Sequence, residues 1–214
     1  MIYLFGEYIP VVHPTAFVHP QATVIGNVII GAHCYIGPGA ALRGDWGQII
    51  IENGCNVQEN CTLHMFPGEQ VWLQANAHIG HGAVIHGATI GNNCMIGMNA
   101  VVMDKVVLGA ECIVGMNAVV MDKVVLGAEC IVGALAFIKA NEVFENRSVI
   151  VGNPAKKIKY VTDEMIAWKI AGTALYQKLP EQMQQQSRIC EPLTQVPTYQ
   201  KIQVANYKTW NETK

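Results

Sequence analysis

Three histidines have the residue type and spacing to do chemistry. They lie in NVQENCTLH (56–64) and HIGHGAVIHG (78–87), as His64, His81 and His86. Three imidazoles that converge and leave one coordination position open describe a catalytic zinc-type centre. Imidazole nitrogen suits zinc, iron and cobalt alike, and zinc is the metal expected. A bound divalent metal lowers the pKa of its water from about 15.7 toward about 7, which makes a nucleophile for a carbonyl-type carbon at neutral pH. The other four histidines, His13, His19, His33 and His78, read as corner or turn residues, as in HPTAFV and HPQATV.

Whether the three can meet depends on the elements that carry them. Stepping by six from Val12 gives Val18, Val24, Ile30, Ile36 and Leu42. After a slip the register resumes at Ile51, Val57 and Leu63, and from Val84 it runs to Ile138. A small residue such as Ala16, Ala22, Ala100, Cys112, Ala118 or Cys130 sits two places before the aliphatic. A period of six fits neither an amphipathic helix nor a simple alternating strand. It predicts an all-β solenoid over roughly residues 11 to 140, with three hexapeptides closing one triangular coil of about 18 residues. Gly and Asn in IGNN and GMNA supply turns with unusual dihedrals.

Coil geometry then sorts the histidines. His64 and His86 are 22 residues apart, one coil plus four. FPGEQVW (66–72) breaks the register and can absorb those four residues in a small loop. His64 and His86 should therefore stack on adjacent coils, about 4.8 Å apart. His81 sits on a neighbouring corner and points elsewhere. One chain thus offers two ligands facing one way and a third facing another. A three-fold homotrimer resolves this, with His64 and His86 of one subunit meeting His81 of the next.

Composition agrees. Of 214 residues, 51% are apolar but only 7% aromatic, so the apolar share is mostly small and aliphatic. Only 14% are charged, below the usual quarter or so, which suggests surface buried between subunits. A net charge of -2 offers no footprint for nucleic acid. No apolar run approaches the roughly 18 residues of a membrane span. MIYLFGEYIP lacks the basic segment of a signal peptide. Seven cysteines without a CxxC pair suit a reducing cytoplasm.

LRGDWGQIIIENGCNVQENCTLH followed by HIGHGAVIHG resembles the γ-class carbonic anhydrases, a branch of the hexapeptide-repeat proteins. That resemblance implies a left-handed parallel β-helix, an exception to the usual right-handed crossover. It matches Arg43, Asp45, Gln58, Glu59, His64, His81 and His86. It implies a homotrimer with a metal at each subunit interface, an interface ion-pair network of Arg43, Asp45 and Glu59, and Gln58 near the metal-bound water. Residues 8 to about 195 are similar to a branch of phenylacetic-acid-degradation and carnitine-operon proteins. The activity so implied is hydrolysis of coenzyme A thioesters, or weak hydration of CO2 to bicarbonate. Trp46 stands where the anhydrases carry a proton-shuttling glutamate, and the loop 65–77 has Glu69 as its only acid. Glu59 is longer than the family's aspartate. These departures imply slow CO2 hydration. Two other readings compete: an acyltransferase using acetyl-CoA, with one histidine base and no metal, and a non-catalytic scaffold.

The pattern continues past the site. Residues 98–115 and 116–133 are identical, and 18 is one coil, so the second copy should add one full turn without moving any inward residue outward. Identity over a whole coil points to a recent or engineered duplication. It also puts Cys94, Cys112 and Cys130 in a ladder. The solenoid is expected to span 1–148 and a linker 149–162. A helix and extended tail should fill 163–214, with Thr162 or Asp163 as cap and Pro180 as a stop. If the helix runs back along the solenoid, Ile166, Trp168, Ile170 and Leu175 should dock it.

Overall fold

The computed structural model describes residues 1–198 and Glu212. The chain is a left-handed parallel β-helix of about eight turns, followed by C-terminal helical structure. Most coils have three short strands, one on each flat face, while Thr23–Ile30 and Ala41–Ile51 run on through a corner and serve two faces. On the first face the chain stacks Thr62–His64, Val84–His86, Val101–Val102, Val119–Val120 and Phe137–Ile138, all in parallel register. The second face includes Gln70–Leu73, Thr89–Ile90 and Val107–Leu108. The third includes Asn56–Val57, His78–Ile79, Met95–Ile96, Ile113–Val114 and Ile131–Val132. The hexapeptide aliphatics point inward and are fully buried, as at Leu42, Leu63, Val102, Val120 and Ile138. The small residue before each lines the corner: Ala40, Cys61, Ala100, Ala118 and Ala136 are equally buried.

The register differs from the expectation at one point. Ile85, not Val84, faces inward, paired with Leu63 below and Val102 above. The next inward aliphatic of the repeat is Ile90, with the small Ala88 two places before it, so that step is five residues. Gly87 causes the contraction: its φ is 58°, and a Cβ there would sit 2.4 Å from the Asp104 carboxylate. Left-handed corners elsewhere are not confined to Gly and Asn. Glu111, Glu129, Lys105, Lys123, Leu135 and Arg147 also take positive φ, because each coil forces the geometry of the next.

The duplicated copy forms a complete coil, with Ile113 opposite Ile131 and Val119 opposite Phe137. Cys94, Cys112 and Cys130 are buried and free, each Sγ aimed at a backbone carbonyl.

The stretch 149–162 is not a bare linker. Ser148–Gly152 completes the third face and folds back antiparallel on Ala155–Tyr160, which covers the end of the solenoid. Helix α1 then runs from Asp163 to Tyr176, capped by the Thr162 side chain. The helix ends before Pro180 is reached, and Pro180 instead sits in the first turn of a second helix, α2 (Leu179–Gln186), where its missing N–H costs no hydrogen bond. Residues 187–198 carry no helix or strand, and the rest of the expected tail lies outside the described residues apart from Glu212.

Helix α1 runs back along the solenoid. Its start is tied to Arg147, whose carbonyl accepts from Val161 at 2.8 Å, and its end reaches Asn56, whose amide donates to the Tyr176 carbonyl at 3.2 Å. The docking residues differ in part from those expected: Ile166 and Trp168 are half-buried, and Trp168 faces the third face of the solenoid. Ile170 and Leu175 are about half exposed, while Lys169, Gly172 and Thr173 are buried. Small residues let the helix backbone approach the strands, and Lys169 turns inward to the Glu111 carboxylate and the Asn93 carbonyl.

Candidate metal centre

Two corners of the first face carry the candidate residues. At the corner closing that face, the register pairs His64 with His86 on adjacent coils, with ring centroids 5.3 Å apart. The four-residue excess is taken up by the turn at 65–69, where the Gly68 N–H donates to the Trp46 carbonyl. His64 is nearly buried, and its Nε2 lies 3.0 Å from Asp45 Oδ1. Asp45 in turn accepts from Arg43 at 2.8 Å. Burial pushes the Asp45 carboxyl up, but the His64 hydrogen bond and the Arg43 charge outweigh it and hold it below the usual range. Burial also lowers the His64 pKa against the opposing pull of Asp45. His86 Nδ1 lies 2.7 Å from Asp104 Oδ1, which leaves Nε2 as the nitrogen for a metal. Trp46 and Phe66 flank the pair, with ring centroids 5.4 Å from His64 and 5.0 Å from His86.

His81 lies at the other corner of the face, with its side chain 53% exposed. Its Nδ1 is 2.6 Å from Glu59 Oε2, and Glu59 accepts a second bond, 2.8 Å, from the Tyr35 hydroxyl. Desolvation acts to raise the Glu59 carboxyl, and the bonds from Tyr35, its own backbone and His81 bring it below its ordinary value. Gln58 is buried beside Glu59 and donates its amide to Asn56.

The chain therefore gathers Arg43, Asp45, His64 and His86 at one corner, and Glu59 and His81 at another, with Gln58 beside them. An ion-pair network of Arg43, Asp45 and Glu59 would need two chains. Among the described residues no three His, Cys, Asp or Glu side chains of a single chain are grouped to hold a metal. The donor set nevertheless suits zinc: His81 and His86 each have one ring nitrogen held by a carboxylate and the other free, the arrangement that orients imidazole ligands. Sequence reasoning did not single out Asp104, though it lies 18 residues after His86 and so one coil above it. It also passed over Tyr35 and Phe66, for which no spacing rule gives a signal.

Curated relatives cover nearly the whole chain. The carnitine operon protein CaiE of Salmonella agona (strain SL483) is 43% identical over 194 residues, 91% of this chain and 89% of that protein. Its counterpart in Salmonella newport (strain SL254) is 44% identical over the same shares. The chain belongs to the CaiE-like hexapeptide-repeat family. The bacterial transferase hexapeptide model matches residues 9–44, and that of the GMPPB C-terminal domain matches residues 46–167. Among solved structures, a hexapeptide transferase family protein from Anaplasma phagocytophilum is 26% identical, with a TM-score of 0.68 over 85% of this chain and 96% of that one. A putative acetyltransferase from Bacillus cereus, 24% identical over 87% of this chain and 98% of that one with a TM-score of 0.71, shares the fold.

Proposed function

We propose that this CaiE-like chain is a metal-dependent hydrolase or lyase of the γ-carbonic anhydrase type. It would act as a homotrimer with its metal, zinc or else iron or cobalt, between subunits. The observation that carries the reading is the pairing of His64 with His86, with the carboxylate-held His81 facing away at another corner of the same chain. Zinc, when bound, supplies the Lewis acidity that makes water nucleophilic at neutral pH. The chain's own residues do the rest. Asp104 and Glu59 orient His86 and His81 as ligands, and Asp45 with Arg43 orients His64. Trp46 and Phe66, each about half exposed in a single chain, flank the centre with aromatic surface that suits an acyl carbon. A coenzyme A thioester is the substrate this surface favours. CO2 hydration is the slower alternative, because no carboxylate stands at position 46 to export protons.

An acyltransferase reading is supported by the likeness to a hexapeptide transferase family protein. It needs one histidine base and no metal. Metal analysis of the purified protein, with acyl-CoA hydrolysis assayed before and after chelation, separates the two. About one metal per chain and chelator-sensitive hydrolysis support the first reading. Metal-free protein that transfers an acetyl group from acetyl-CoA to an amine or hydroxyl acceptor supports the second. A reducing cytoplasm suits the free thiols of Cys34, Cys55, Cys61, Cys94, Cys112, Cys130 and Cys190. No helix among the described residues is long and apolar enough to cross a membrane.

A further inference from the structure

Beside His81 lies a cavity of about 490 Å³ between the third face, its corner and helix α1. Four successive coils floor it, through His78, Met95, Ile113 and Ile131, and Met165, Trp168 and Tyr176 wall it from the helix. Three coil spacings of about 4.8 Å make it roughly 14 Å long. It is a narrow apolar trough with polar groups at one end only. At that end His78 is 5% exposed and stacked on Tyr176 at 3.8 Å, and its Nδ1 is buried with no hydrogen-bond partner. A buried polar nitrogen without a partner is costly and calls for one. The far end, at Ile131 and Ala134, lies in and just past the second copy of the repeated coil.

We infer that this trough holds the straight, apolar acyl chain of the substrate, with its polar end at His78 and its tail running toward Ile131. This rests on the thioester reading above, which it deepens by naming the acyl class. Three observations argue for that occupant. The trough opens beside His81, so a chain in it leaves its carbonyl end near a proposed metal ligand. Beyond its polar end the lining is rich in methionine, isoleucine and valine, and methionine adapts to flexible hydrocarbon. Its length follows the coil count, so the extra coil makes room for several more methylene groups than a chain without it would accept.

Binding can be separated from turnover. Sodium decanoate and sodium butyrate are titrated calorimetrically into the metal-free protein, so no hydrolytic activity is required. Decanoate should bind at least tenfold more tightly than butyrate. Ile131→Trp, which fills only the far end, should abolish that preference while leaving butyrate binding and thermal stability unchanged. His78→Phe keeps the stack on Tyr176 and removes the nitrogen, and should weaken both ligands about equally. Decanoate binding that Ile131→Trp leaves intact would overturn the assignment. So would an absence of decanoate binding, with the oligomer dissociating in Ile131→Trp by light scattering, since the trough would then be a subunit contact. Should the metal-loaded enzyme fail to hydrolyse decanoyl-CoA while decanoate still binds and responds to Ile131→Trp, the thioester reading fails and the trough stands.

Discussion

Deleting residues 116–133 tests how the repeated coil positions helix α1. Arg147 now stands one coil beyond Glu129 and pairs with it at 2.9 Å, while Glu111, one coil further back, pairs with Lys169. The two copies thus supply two glutamates to two different cations. With one coil removed, Arg147 would meet Glu111. The helix, anchored to Arg147, would shift about 4.8 Å along the axis. Lys169 would then face Asn93 instead of a carboxylate. Lys169 is 1% exposed, and stripping a buried charge of its partner costs about 3–5 kcal/mol. Loss of the Tyr176–His78 stack adds about 1 kcal/mol. Asn93 sits at φ 57°, close to the 64° that Glu111 already adopts, so a glutamate can take that corner at a small backbone cost. Asn93→Glu should therefore restore most of the lost stability in the shortened chain. In the full chain Asn93 donates to Glu111 at 2.7 Å, so the same change sets two carboxylates together and should destabilise. Urea unfolding of the four proteins, at one chain concentration, measures this. A substitution with the same effect in both backgrounds would refute the Lys169 argument.

His81→Ala and His64→Ala chains should each lose metal, and co-folded mixtures of the two should regain some sites, because each defect lies in a different chain's share; no recovery in metal analysis would contradict a shared centre. Asp104→Ala frees the His86 ring and should weaken zinc binding by about 10–100-fold with the fold intact, read by competition with a chelator. Burial lowers the His78 pKa from 6.5 to about 4, with the His81 charge adding to the shift and Glu59 opposing it. The unfolded chain therefore binds the extra proton first, and stability present above about pH 6.5 falls away toward pH 4, by up to about 3 kcal/mol. His78→Phe should flatten that part of the pH–stability profile, measured by urea unfolding.

In a solenoid each coil touches only its neighbours, so distance along the sequence converts almost directly into position along the axis. For that reason the six-residue period determined the coil and most of the inward aliphatics, and together with the register break at 66–72 it stacked His64 on His86 across a 22-residue gap. It also placed His81 on a different corner, and it could have placed Asp104, one coil above His86. What it could not reach depends on contacts without a period. The five-residue step at Gly87 follows from the close approach of Asp104. Helix α1 docks through Lys169 and small residues, because Glu111 and the Asn93 carbonyl offer a buried cation more than the strands offer Ile170 or Leu175. Glu59 bonds to His81 and Tyr35, away from Arg43, because the corner turn separates them within one chain. The trough beside His78 exists only where a returning helix meets four coils, a meeting of segments far apart in sequence that only tertiary packing decides.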